Sequence, residues 1–122
     1  MEAQYEAFNR HDLDEMRTRI AEDFIWRPNP EDLDQQVASG WQETEARMRD
    51  LWEFLPELRS EVEAMEEDGE RVLASVRHFA RSSASETVFD RREVQVWTIR
   101  NGKIVELQEF PDLDSARAGL EL

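Results

Sequence analysis

Two strand-like runs joined by an Asn-Gly dipeptide occupy residues 87–110, TVFDRREVQVWTIRNGKIVELQEF. Both runs are rich in the β-branched and aromatic residues that strands favour, and their side chains point to alternate faces. Asn101-Gly102 supplies two residues that tolerate positive φ, as a two-residue hairpin turn requires. We therefore predict a long antiparallel hairpin with strands at Thr87–Arg100 and Ile104–Phe110.

The chain before this hairpin divides at Pro56 into a helical half and a strand-rich half. Asp12, with Glu15 three residues later, forms a capping box that begins a helix, which we expect to end near Ala21 or Glu22. The other predicted elements are a short helix carrying Ala3, Ala7 and Phe8, strands at Phe24–Arg27 and Gln36–Ala38, a helix over Gly40–Phe54, and strands at Leu58–Met65 and Arg71–Arg81. This order predicts an α+β fold, a curved antiparallel sheet with three N-terminal helices packed on its concave face and a C-terminal tail at Asp112–Leu122.

The composition limits the classes of function. The 122 residues suit one domain, residues 1–122, and the lack of cysteine excludes disulfides and thiolate chemistry. A formal charge of −14 disfavours nucleic acid and anionic membranes as partners, because both are bound through basic side chains. No apolar run is long enough for a membrane helix, and the N-terminus lacks the pattern of a signal peptide, so we expect a cytoplasmic protein.

Several short motifs, in their order along the chain, resemble the SnoaL-like branch of the nuclear transport factor 2-like superfamily. The matching segments are Tyr5–Asn9, Asp12–Asp14, Asp23–Trp26, Gly40, Asp68–Val72, Val96–Ile104 and Phe110–Asp112. The resemblance implies a cone-shaped, ketosteroid isomerase-like α+β barrel with a pocket between the helices and the concave face, and it implies a frequent homodimer. It implies no single activity, since members isomerise, dehydrate, cyclise, hydrolyse epoxides or only bind.

Strand alternation predicts which side chains line that pocket. If Trp97 points inward, Gln95 and Glu93 share its face, as do Leu107 and Glu109 on the last strand. The family pattern places His78 inward on the middle strand. The predicted substrate-binding residues are Tyr5, Trp26, Trp52, Glu93, Gln95, Trp97 and Leu107. They form an aromatic cavity with a few polar groups, which is typical of small-molecule sites.

Candidate catalytic residues are Glu109, His78 and Asp112. Burial raises the pKa of a carboxyl group, so Glu109 could serve as a general acid or base with His78 beside it. Asp112 matches an acid that the SnoaL-type cyclases use near this point, and it could equally cap the C-terminal tail. Glu109 could equally be solvated at the rim, and His78 could be a purely structural residue. Neither cofactor nor metal is predicted, because His78 has no partner at a metal-ligand spacing.

Two specific chemistries of the family fit poorly. The base position of the ketosteroid isomerases falls near Pro28, which has no ionisable group, and their oxyanion donors fall near Gln4 and Gln95. We therefore reject that mechanism. An epoxide hydrolase needs an Asp–Arg–Asp relay; Arg91 could supply the arginine, but no inward pair of aspartates is evident.

The outward-facing residues Val94 and Val96 are apolar, whereas a solvated sheet face should be polar. A second copy of the chain is the simplest cover, so we predict a homodimer. The functional prediction is a small-molecule-binding domain with cofactor-free acid–base chemistry on an apolar organic substrate. The alternative is a non-catalytic ligand-binding or dimerisation module.

Overall fold

The computed structural model describes residues 1–82 and 86–120. Its helices are α1 (Glu2–Asn9), α2 (Leu13–Arg17), α3 (Gly40–Phe54) and α4 (Leu113–Gly119), and its strands are β1 (Ile20–Arg27), β2 (Ala38–Ser39), β3 (Arg59–Asp68), β4 (Arg71–Arg81), β5 (Thr87–Arg100) and β6 (Lys103–Phe110). The six strands form one curved, unclosed sheet in the order β2-β1-β6-β5-β4-β3. All neighbouring strands are antiparallel except β1 and β6. Within the described ranges, no helix is long and apolar enough to cross a membrane.

The β5–β6 hairpin confirms the prediction made from its turn. Asn101 and Gly102 have φ of 54° and 76°, the positive values that the turn demands, and Arg100 pairs with Lys103 across it. The register then places Trp97 opposite Leu107 and Gln95 opposite Glu109. This pairing determines which side chains lie on the inner face of the sheet, the face toward helices α1 to α3.

The α2–β1 boundary differs from the sequence prediction. The Asp12 cap is confirmed, because its Oδ1 accepts a hydrogen bond from the Glu15 backbone N–H at 3.1 Å. The helix ends at Arg17, however, and not near Ala21 or Glu22. Ile20 instead begins β1 and pairs with Ile104 of β6, so long-range strand pairing overrides the local helical pattern. The small strand predicted at Gln36–Ala38 lies at Ala38–Ser39.

The core lies between the inner face of the sheet and helices α1 to α3. Its members include aromatic side chains from α1, β1, α3 and β5 and small residues from β4: Tyr5, Phe24, Trp26, Trp41, Trp52, Ala74, Val76, Ala80 and Trp97. The helices thus cover the inner face, as predicted from the order of elements. A three-helix cover of one face of an α+β sheet is confirmed.

The outer face is covered in part by α4, which the sequence analysis treated as a tail. Val94 and Val96 are buried there with Leu73, Phe110 and Ala116, so the chain itself covers these apolar residues. The predicted tail also included residues 121–122, which lie outside the described residues. The argument that the valines need a second copy is therefore wrong, and the homodimer stays a prediction.

Close packing of α4 explains the glycine near its end. A Cβ built on Gly119 would lie 2.6 Å from Cε1 of Phe110, closer than real Cβ atoms come to a neighbour. The helix can approach the sheet at this point only because the residue has no side chain. Elsewhere the outer face carries ion pairs between neighbouring strands, such as Arg77 with Asp90 at 2.8 Å.

Candidate functional site

A cavity of about 720 Å³ lies between the helices and the inner face of the sheet. This volume is within the range of sites for small organic ligands. Its apolar walls come from α1, β1, β5, β6 and the segments around α3, and they include Tyr5, Phe8, Trp26, Leu55, Phe89, Trp97 and Leu107. The cavity also contacts His78, Glu93, Gln95 and Glu109.

Glu109 is at the centre of the polar groups. Only 7 % of its surface is exposed, and its Oε1 accepts a hydrogen bond from Trp26 Nε1 at 2.7 Å. Its Oε2 accepts one from Gln95 Nε2 at 3.0 Å. Gln95 lies directly opposite Glu109 in the β5–β6 ladder, and Trp26 pairs with Leu107 of the same strand β6. The register of the sheet therefore places both donors beside Glu109.

A directed chain of hydrogen bonds holds Gln95. Trp97 Nε1 donates to the Tyr5 hydroxyl at 2.8 Å, and that hydroxyl donates to Gln95 Oε1 at 2.6 Å. The Gln95 amide nitrogen is thereby turned toward Glu109. Burial raises the pKa of Tyr5 far above its usual value, so the phenol keeps its proton and remains a donor.

A second chain runs across three adjacent strands. His78 Nε2 lies 2.8 Å from Glu93 Oε2, and His78 Nδ1 lies 2.7 Å from Ser60 Oγ. Glu93 Oε1 also accepts a hydrogen bond from Asn29 Nδ2 at 3.1 Å. The imidazole is therefore held at both nitrogens, which fixes its orientation against Glu93.

Glu109 differs from an ordinary glutamate in its electrostatics. Burial raises the pKa of Glu109 well above its usual value, and the neighbouring Glu93, through a hydrogen bond and charge repulsion, raises it further. The donors Gln95 and Trp26 act in the opposite direction without cancelling this effect. Burial also lowers the pKa of His78, which favours the neutral ring. The proton of Glu109 is therefore held more tightly than that of an ordinary glutamate.

The same cluster contains the ligand atoms that a metal ion would use. Within residues 1–82 and 86–120, the ligand atoms of His78, Glu93 and Glu109 lie within 4.8 Å of one another. Nitrogen and carboxylate oxygen are ligands for several divalent metals. In the hydrogen-bonded arrangement described here, Trp26, Gln95, Asn29 and Ser60 already satisfy these side chains.

Arg91 lies at the edge of the cavity between two acids. It forms an ion pair with Asp32, and its Nη2 lies 3.4 Å from Glu93 Oε1. The arginine of an epoxide-hydrolase relay is thus flanked by one aspartate and one glutamate. In the described part of the chain, Arg91 contacts no second aspartate, consistent with the reason given for setting that reaction aside.

Two of the residues selected from the sequence lie elsewhere. Asp112 is exposed and caps α4, its Oδ1 accepting a hydrogen bond from the Ser115 backbone N–H at 2.7 Å. Trp52 does not line the cavity; it packs beside Phe8 and stacks on His11 with ring centroids 4.2 Å apart. Asp112 thus has the capping role that the sequence left open, and Trp52 packs away from the cavity, so neither side chain belongs to the cluster around Glu109. Alternation could not resolve either, because Asp112 follows the last strand and Trp52 lies on a helix.

Sequence reasoning missed three polar residues of the site: Ser60, Asn29 and Asp32. Ser60 could have been predicted, because it is spaced by two residues from the apolar Leu58 and Val62, and residues at this spacing share one face of a strand. Asn29 and Asp32 lie in the segment between β1 and β2, which has no periodic pattern to predict side-chain direction. Their contacts with Glu93 and Arg91 arise only when that segment folds over the sheet.

Comparisons with known proteins give one family and one fold. The family model of the SnoaL-like domain matches residues 1–107. A nuclear transport factor 2-like protein of unknown function from Burkholderia pseudomallei is 24% identical, with 94% of this chain and 89% of that chain covered and a TM-score of 0.76. TerC, co-crystallised with polyporic acid, is 22% identical over 98% of this chain and 92% of that chain, with a TM-score of 0.75. A putative polyketide cyclase from Xanthomonas campestris is 21% identical over 96% and 90% of the two chains, with a TM-score of 0.67. No curated protein matches this sequence.

Proposed function

Because this chain belongs to the SnoaL-like domain family, we propose that it binds a small, largely apolar organic molecule in its inner cavity and acts on it by acid–base catalysis without a cofactor. The observation that carries the proposal is the buried Glu109 beside Glu93 at the wall of an aromatic cavity, where burial and the neighbouring Glu93 raise the pKa of Glu109. The polyketide cyclase-like relatives support a ligand-binding or cyclase-type domain at the level of the fold.

The walls of the cavity support a largely apolar ligand. Trp26, Trp97 and Phe89 contribute aromatic surface, and the few polar atoms converge on one region around Glu109. A ligand would bury its carbon skeleton against the rings. It would place one polar group, or one carbon or oxygen that can lose a proton, next to the carboxyl pair. Burial of the skeleton supplies most of the binding free energy, and the carboxyl pair fixes the orientation.

The carboxyl pair supports proton transfer. Glu109, whose pKa is raised, can act as a general base when ionised and as a general acid when protonated, with Glu93 as its neighbouring carboxyl group. His78 keeps Glu93 in place, and Gln95 keeps Glu109 in place. The reactions that such a pair can perform are isomerisation, dehydration or ring closure through proton movement at carbon or oxygen.

The roles of Tyr5 and Gln95 change relative to the sequence prediction. The sequence predicts both as substrate-binding residues. Their polar atoms are engaged in the chain from Trp97 to Glu109. We therefore assign Tyr5 and Gln95 to positioning Glu109.

A non-catalytic ligand-binding domain is the second candidate, and one observation favours it. Both oxygens of Glu109 already accept hydrogen bonds from protein donors at 2.7 and 3.0 Å. A carboxyl group so restrained could serve only to shape the cavity. In this case ligand binding persists without turnover. The proposals of a homodimer and a cytoplasmic location apply equally to both candidates.

Turnover of nitrobenzisoxazole, whose ring opens when a buried base removes its carbon-bound proton, tests the catalytic proposal. Wild-type protein should open the ring faster than Glu109→Gln by on the order of 10²-fold, a usual contribution of a general base. Glu106→Gln is the matched control, because Glu106 lies on the same strand but pairs with Arg27 outside the cavity. Equal rates for wild type and Glu109→Gln would contradict catalysis. Quenching of tryptophan fluorescence by the probe in all three proteins would then support the second candidate.

A further inference from the structure

The cavity carries an excess of negative charge. Five carboxyl groups and two guanidinium groups line it, from Asp32, Asp34, Asp50, Glu93, Glu109, Arg47 and Arg91. The lining histidine, His78, is held in its neutral form by burial. Glu93 and Glu109 are buried, and an anionic or a neutral ligand would not offset the free energy that burying these carboxyl groups costs.

The two arginines do not neutralise Glu109. Arg91 is engaged between Asp32 and Glu93, so its charge is already opposed by two carboxylates. Its Nη2 makes no hydrogen bond, although this atom lies 3.4 Å from Glu93 Oε1. Arg47 lies over the Trp26 ring at 5.2 Å and donates to the backbone of the segment before β2. Among the described residues, no ion pair joins a basic side chain to Glu109.

From this charge pattern we infer that the ligand is an organic amine, whose ammonium group binds between Glu109 and Glu93 while its apolar skeleton lies against the aromatic walls. The inference deepens the proposed function and rests on it, since it concerns the ligand of the same cavity. An ammonium group between the two carboxylates would pair with their negative charge. The faces of Trp97 and Phe89, which also line the cavity, attract cations through their π-electrons.

The same pattern disfavours anions. A ligand carboxylate next to Glu109 would add negative charge at a position where burial and the neighbouring Glu93 already raise the pKa of Glu109. The acids at the mouth, Asp34 and Asp50, and the net charge of −14 also favour the approach of cations over anions. We therefore expect cations to bind more tightly than anions and to associate faster.

Three probes with one skeleton separate charge from shape: phenethylamine, phenethyl alcohol and hydrocinnamate, measured by calorimetry near neutral pH. We expect the amine to bind on the order of tenfold more tightly than the alcohol, and hydrocinnamate to bind most weakly. Glu109→Gln should abolish the preference for the amine and leave the affinity for the alcohol unchanged. Glu61→Gln, which removes one exposed charge from β3, should keep the preference.

Each outcome bears on the inference. An alcohol that binds wild-type protein as tightly as the amine overturns it, and this result needs no variant to fold. Equal loss of the preference in Glu61→Gln and Glu109→Gln also overturns it, because the overall negative charge would then explain the selectivity. Binding of the alcohol alone leaves the proposed function standing, whereas failure of all three probes contradicts the proposed ligand site and the inference with it.

Discussion

Replacing Glu109 by Gln should make the protein more stable at neutral and alkaline pH than the wild type. The pKa of Glu109 is raised in the folded state above the value of 4.5 that it has when unfolded. The folded state therefore binds the proton more tightly, and its extra stability is fully present below pH 4.5 and is lost as the pH rises through the folded pKa. The glutamine cannot ionise, so this loss should be absent from the variant.

The size of the effect follows from the burial of the side chain. Glu109 is 7 % exposed, so solvent screens its charge little. Across the window between pH 4.5 and the folded pKa, the wild-type free energy of unfolding should fall relative to the variant by up to about 1.4 kcal/mol per pH unit. The glutamine can still accept a hydrogen bond from Trp26 and donate one to Glu93, so the substitution itself should cost little at low pH.

Urea unfolding followed by circular dichroism from about pH 5 to about pH 9 measures this difference directly. Glu61→Gln is the control, because it changes the net charge equally at an exposed position and should follow the wild-type curve. Parallel curves for the wild type and Glu109→Gln over the whole range would refute the reasoning. Glu109 would then be ionised in the folded protein without penalty, and its pKa would not be raised by burial.

Three further substitutions test separate parts of the structure. Trp26→Phe keeps the ring but removes the N–H that donates to Glu109, so we expect a loss of about 1 to 3 kcal/mol in urea unfolding at neutral pH and a further rise in the pKa of Glu109. Ser60→Ala removes the hydroxyl next to His78 Nδ1, so we expect changed imidazole nitrogen shifts in NMR spectra and a loss of about 1 kcal/mol. Val96→Arg places a charge in the apolar contact beneath α4, so we expect it to destabilise the chain by about 3 kcal/mol or more in thermal unfolding.

Matched variants identify the cause of each effect. Trp41→Phe also loses an indole N–H, but Trp41 donates to the partly buried Glu45, so its cost should be smaller than that of Trp26→Phe. An unchanged His78 spectrum in Ser60→Ala would contradict the hydrogen bond between the two side chains. A Val96→Arg protein that folds normally and differs only in sedimentation would restore the outer face as a candidate interface between copies.

The period-two pattern of β5 and β6 was sufficient to predict the inward set of the sheet. Glu93, Gln95, Trp97, Leu107 and Glu109 all line the cavity, because the direction of a side chain in a regular strand depends only on its position along the strand. The hairpin between these strands was predictable for the same local reason, since Asn101-Gly102 adopts positive φ at low cost.

Several features depended on contacts between distant residues. Ile20 lies in β1 and not in a helix because it pairs with Ile104 of β6. Val96 is covered by α4 of the same chain. Neither outcome has a local signal, because each depends on which surfaces meet after the chain folds back on itself. Asn29 and Asp32 entered the site in the same way, through a segment that lacks periodicity.

The sequence by itself determined the α+β class, the long hairpin and the set of strand residues that face inward, because these follow from turn conformation and strand alternation. Only the tertiary structure decided which of those residues act together. Sheet register placed Gln95 across from Glu109, and burial together with the neighbouring Glu93 raised the pKa of Glu109. A pKa depends on the surroundings of a group in three dimensions, and so the chemistry of the cavity could not be read from spacing alone.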